Sequence, residues 1–106
     1  MKTDVDLLND LAKGVTITCL LFYCEMVRYS FGKYVLVYGT DKEDEVLLTA
    51  ITYIRAGGDK LQYKKLSMSF DKERFDLDKF RAIDHFQKKV IDAFARIDKR
   101  KETDEL

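Results

Sequence analysis

The chain has 106 residues, 46% hydrophobic and 36% charged, and its nineteen basic residues match nineteen acidic ones. This length supports one core, and the composition excludes intrinsic disorder. The balanced charge excludes a global field that would draw in nucleic acid or an anionic membrane.

The N-terminal MKTDVDLLND has no apolar core of a signal peptide. The longest apolar run, about six residues, is too short to span a bilayer. Two cysteines fit a reducing compartment better than a disulfide framework, so a cytoplasmic protein is expected.

In chain order, Thr3 and Asp6 have the spacing of a capping box. Val5, Leu8, Leu11 and Ala12 mark one helical face, Lys13 gives a basic last turn, and Gly14 suits the C′ position. A short helix is predicted from Asp4 to Lys13. Val15 to Arg28, VTITCLLFYCEMVR, is rich in β-branched and aromatic residues and predicts one long strand. On that strand Cys19 and Cys24 point to opposite faces, as buried free thiols. Ser30-Phe31-Gly32-Lys33 is a turn signal, and Tyr34 to Tyr38 forms the second strand of a hairpin.

The segment GTDKEDEVLLTAITYIRAGGD supports two readings. As a helix it has a Thr40 or Asp41 cap, acids in the first turn and Arg55 in the last. As a strand, Val46 to Arg55 carries six β-favouring residues, and AGGD becomes a hairpin loop. The strand is the preferred reading. Leu61 to Phe70 follows as a strand with Leu66, Met68 and Phe70 alternating against Lys65, Ser67 and Ser69. After a polar link, Asp76 caps a long helix reaching about Lys99. Its buried stripe is Phe80, Ile83, Phe86, Val90, Phe94 and Ile97.

The predicted fold class is therefore α+β: a four-stranded antiparallel meander flanked by a short N-terminal and a long C-terminal helix, order αββββα. The alternative is αββαβα, with residues 41–56 helical. Residues 1–100 form the single domain, and 101–106 a charged tail that frays. A helix followed by an antiparallel meander resembles the cystatin-like topology in element order. No Q-x-V-x-G occurs in the first hairpin, and the likeness implies no function.

Catalytic and metal motifs are missing. His85 has no partner at useful spacing and reads as a surface residue; no H-x-x-x-H, C-x-x-C, G-x-S-x-G or phosphate-binding glycine loop occurs. A non-enzymatic protein without cofactor, metal or evident small-molecule ligand is expected.

Three local features suggest contacts. Arg55, Lys60, Lys64 and Lys65 interleave with Tyr53 and Tyr63, as surfaces for single-stranded nucleic acid do. Arg28 and Lys33 could extend that patch. The acidic run with Asp41, Glu43, Asp44 and Glu45 is a solvated turn or a docking loop for a basic partner. Leu20, Phe22 and Cys24, set against Leu21 and Tyr23, make the first strand apolar on both faces. One helix cannot cover both, so self-association as a homodimer is expected, unless the two helices straddle the sheet.

The leading expectation is a small adaptor or inhibitor acting on a macromolecule, with a protein partner favoured over nucleic acid and no membrane. Such a chain suits a phage or mobile-element inhibitor of a host protein. Single-stranded nucleic-acid binding is the alternative. A pocket lined by Tyr23, Tyr34 and Tyr38 between sheet and long helix is a third reading.

Overall fold

The computed structural model describes residues 2–55 and 61–104, with backbone alone at Arg55, Leu61 and 100–104. Its elements are α1 (Asp4–Cys19), β1 (Tyr23–Arg28), β2 (Tyr34–Asp41), β3 (Glu45–Arg55), β4 (Leu61–Asp71), α2 (Lys72–Leu77) and α3 (Lys79–Asp104). The four strands form one antiparallel sheet in the order β1-β2-β3-β4. This is the expected α+β meander, and residues 45–55 are strand rather than helix. The AGGD loop lies outside the described residues.

Two boundaries differ from the sequence reading. The first helix does not stop at Lys13 but runs to Cys19, so the long strand shrinks to six residues. Its apolar stripe explains the extension. Leu8 is fully buried, and Leu11, Ala12 and Val15 continue the same face at helical spacing. Packing of that stripe on the sheet overrides the β preference of Val15, Thr16, Ile17 and Thr18. The Thr16 and Thr18 hydroxyls donate to the carbonyls of Ala12 and Gly14, each at 2.7 Å, which keeps them compatible with a helix. The Thr3–Asp6 capping box is present as predicted.

The second difference is the polar link before the long helix. It is the six-residue helix α2, capped by Asp71, whose carboxylate accepts from the Arg74 amide at 3.4 Å. Asp78, not Asp76, caps α3, accepting from the Arg81 amide at 3.3 Å.

The helices straddle the sheet. On one face Val35, Val37, Val46, Leu48 and Ala50 meet Ile83, Phe86, Val90 and Phe94 of α3, with Phe75 of α2 completing the core. On the other, α1 lies chiefly across β1, β2 and β3. The need to hide a strand apolar on both faces therefore disappears, and with it the expectation of a homodimer through Leu20, Phe22 and Cys24. Of the predicted α3 stripe, Phe80 is exposed at the start and Ile97 is partly exposed near the end.

Asp98 lies four residues beyond Phe94 on the buried face of α3 and is 4% exposed. The Lys64 ammonium donates to its carboxylate at 2.9 Å, and Lys33 approaches the same oxygen at 3.2 Å. Lys64 also lies 5.2 Å from the centre of the Phe94 ring. These contacts tie β4 and the start of β2 to the far end of α3.

Among the described residues no helix is long and apolar enough to cross a membrane.

Candidate functional site

The meander brings the α1–β1 connection, the β2–β3 loop and the α2–α3 junction to one end of the molecule. Tyr23 pairs with Gly39, Asp41 with Val46, and Glu45 with Asp71. The Lys72 amide donates to the Asp44 carbonyl at 3.2 Å, and its ammonium pairs with Asp41 at 3.1 Å. The Lys42 amide donates to the Glu45 carbonyl at 2.9 Å and closes the loop. The acidic loop is thus held against the start of α2.

Phe22 anchors this end. Its ring lies over Gly39, where a Cβ would come within 2.3 Å of it, and meets Phe75 edge-on at 5.6 Å between centroids. Lys79 lies 5.7 Å above its centre. Between Phe22 and the first turn of α3 runs an open groove of about 380 Å³, lined among others by Glu25, Lys79, Phe80, Asp84 and Gln87. On its floor the Tyr23 hydroxyl donates to Glu25, while Gln87 donates to that phenol oxygen and to Glu25, the latter at 3.0 Å. Burial, reinforced by Glu25, pushes the Tyr23 phenol well above its ordinary value, so it stays protonated and serves as a donor.

Large apolar side chains are exposed on the segments that reach this end. Leu20 is 89% exposed, Ile17 one turn earlier 80%, Leu77 83% and Phe80 84%, with Phe22 at 37%. Five of the eight large exposed hydrophobic side chains among the described residues thus belong to the segments that meet here. Leu20 is the C-cap of α1 and holds a left-handed backbone, φ 48° and ψ 58°. Glycine or asparagine suits that position. A leucine there strains the backbone and buries nothing in return. An acidic rim shares this end: Glu25, the loop 41–45 and the segment 71–84 hold ten acidic and five basic residues. This end therefore carries minus five and the rest of the neutral chain plus five.

The sequence-predicted patches fare unequally. Asp41, Glu43, Asp44 and Glu45 are together and exposed, on the rim just described. Leu20 and Phe22 belong to this end, but not as one strand face with Cys24: Leu20 caps a helix, Phe22 precedes β1, and Cys24 alone is in the strand. Cys19 and Cys24 are exposed rather than buried. Partial burial still pushes the Cys24 thiol up, with the Thr16 hydroxyl opposing, so it remains protonated.

The basic patch is divided. Tyr53 and Tyr63 face each other across β3 and β4, and Lys65 shares their face. Lys64 is on the opposite face, held by Asp98. Lys60 lies outside the described residues, and Arg55 is described by its backbone alone. The tyrosine pocket is divided too, since Tyr23 lies on the α3 side while Tyr34 and Tyr38 lie on the α1 side. His85 is exposed, as expected.

Gly39, Asp98, Leu77 and Phe80 went unrecognised as site residues. A glycine inside a strand signals close approach of another group, and Asp98 is in phase with Phe86, Val90 and Phe94. Nothing in the spacing of Leu77 and Phe80 separates them from a buried stripe.

A scan against protein-family models finds no match for this chain, and searches of curated proteins and of solved structures find none similar to it.

Proposed function

We propose that this chain is a small non-enzymatic binding protein that occludes or adapts another protein, docking a segment of apolar and basic character on the Leu20–Phe80 end. Its main support is Leu20, a large apolar side chain displayed almost fully to solvent from a strained backbone, with Ile17, Leu77 and Phe80 also exposed on segments that reach this end. An exposed apolar cluster with a polar rim is the usual form of a protein interface. The net minus five of this end selects the partner's charge and steers its approach. Two free thiols fit a cytoplasmic setting.

The test uses two labelled amphipathic peptides with the same leucine face, one carrying lysines and the other glutamates. The lysine peptide is expected to bind at least about tenfold tighter, with affinity falling as salt rises. Leu20→Asp and Phe80→Asp should each weaken it about tenfold or more while leaving the melting temperature near that of the parent. Equal binding of the two peptides, or full binding by both variants, overturns the reading.

Single-stranded nucleic acid is the second reading. It is favoured by the Tyr53–Tyr63 pair beside Lys65, with Tyr63 exposed. Loss of oligonucleotide retention in Lys65→Glu tests it. Lys64→Glu does not, because it removes the partner of a buried carboxylate.

A further inference from the structure

We infer that a second copy of this chain pairs antiparallel with the free edge of β4, around a two-fold axis at Met68. This inference rests on the edge of β4 and not on the exposed Leu20, Leu77 and Phe80, although Asp71 belongs to both regions. β4 is eleven residues long and terminates the sheet. Half of its backbone donors and acceptors point away from β3, which makes a long flat edge a template for another strand. Among the described residues, the elements that could cover it turn elsewhere. α1 lies chiefly over the first three strands, and α2 carries Phe75 under the sheet to meet Phe22.

Edge strands are usually guarded by prolines or by lysines. The chain has no proline. Lys64 is folded in against Asp98 and guards nothing. The remaining charges on the strand are Lys65 near its middle and Asp71 at its end. In an antiparallel mate centred on Met68 these two charges lie opposite each other and attract across the edge.

A two-fold axis perpendicular to the sheet keeps each face on its own side, so paired residues must share a face. With Met68 opposite its counterpart, Lys65 faces Asp71, Ser67 faces Ser69, and Leu66 faces Phe70. The first two pairs lie on the exposed face of β4. The third lies on the α3 side, where Phe70 borders an open groove of about 470 Å³ with Phe75, Ala82 and His85. Leu66 of the second copy would come to rest over the mouth of that groove. Sliding the register by two residues, to centre on Ser67, sets Lys65 against Ser69 and loses both charge pairs.

The experiment measures sedimentation across a concentration series together with directed cross-linking. Lys65→Glu is expected to weaken dimerisation about tenfold, because it turns two attractive contacts into repulsive ones. Asp71→Asn keeps the cap of α2, removes the charge and should weaken the dimer by a smaller factor. With Cys19 and Cys24 replaced by serine, Met68→Cys should oxidise to a covalent dimer, whereas Lys88→Cys on the outer side of α3 should not. Amide exchange in β4 should slow as concentration rises. A parent chain that remains monomeric at hundreds of micromolar, or Lys65→Glu that dimerises unchanged, overturns the inference. The peptide-binding test is read separately, on Leu20→Asp and Phe80→Asp, neither of which lies on β4.

Discussion

Gly39 and Phe22 form a contact with no slack. Gly39→Ala puts a methyl group where the Phe22 ring lies, and the ring must leave its place between Gly39 and Phe75. The expected loss is about 1–3 kcal/mol by chemical denaturation. In a Phe22→Ala background the same change should cost much less, a non-additivity that identifies the contact. Asp98 has a different signature. Burial alone would raise its carboxyl, but Lys64 and Lys33 outweigh burial and hold it below the ordinary 3.8. Because the folded value lies below the unfolded one, the stabilisation is present above about pH 4 and is lost as the pH falls through the depressed value. Asp98→Asn should therefore cost about 3 kcal/mol at pH 7, where Lys64 is left unpaired, and clearly less at pH 2. Urea midpoints of parent and variant at the two pH values give the answer. An unchanged gap would show that the ion cluster contributes nothing.

At the scale of elements, α1 separates two explanations of Gly14. If the glycine ended the helix, an alanine there would be strained; inside the helix it should help. Gly14→Ala is expected to raise stability by about 1 kcal/mol, since a Cβ meets nothing within 4 Å and the backbone is helical. Leu20 is where the helix does end, and Leu20→Gly should also stabilise the monomer, by up to about 1 kcal/mol, by relieving the left-handed backbone. The same change should weaken the lysine peptide, so stability and binding move in opposite directions. The sequence misplaced this boundary for a physical reason. Val15 to Thr18 are β-branched, Gly14 has the look of a stop, and the stripe from Leu8 to Val15 wins only because a sheet lies beneath it. The β3–β4 hairpin was easier to read, since alternating Leu66, Met68 and Phe70 require a pleated strand. The candidate site was legible only in pieces. The acidic loop and Leu20–Phe22 could be seen locally, but their meeting with Leu77 and Phe80 depends on where α2 turns.

The whole molecule measures 47 × 28 × 18 Å, with the long helix along its length. Composition alone reports a neutral protein, because the sum hides where the charges are. Lys64 shows the same effect at closer range: counted with Tyr53 and Tyr63 it suggests a nucleic-acid surface, yet the alternation of β4 sends it to the other face. Minus five at the docking end and plus five elsewhere make each copy an electric dipole along the strands. Two copies joined head-to-foot through β4 would point these moments in opposite directions, and most of the field would vanish at long range. The joined pair should align far more weakly in an applied electric field than single copies, and raising the protein concentration should diminish the birefringence per molecule.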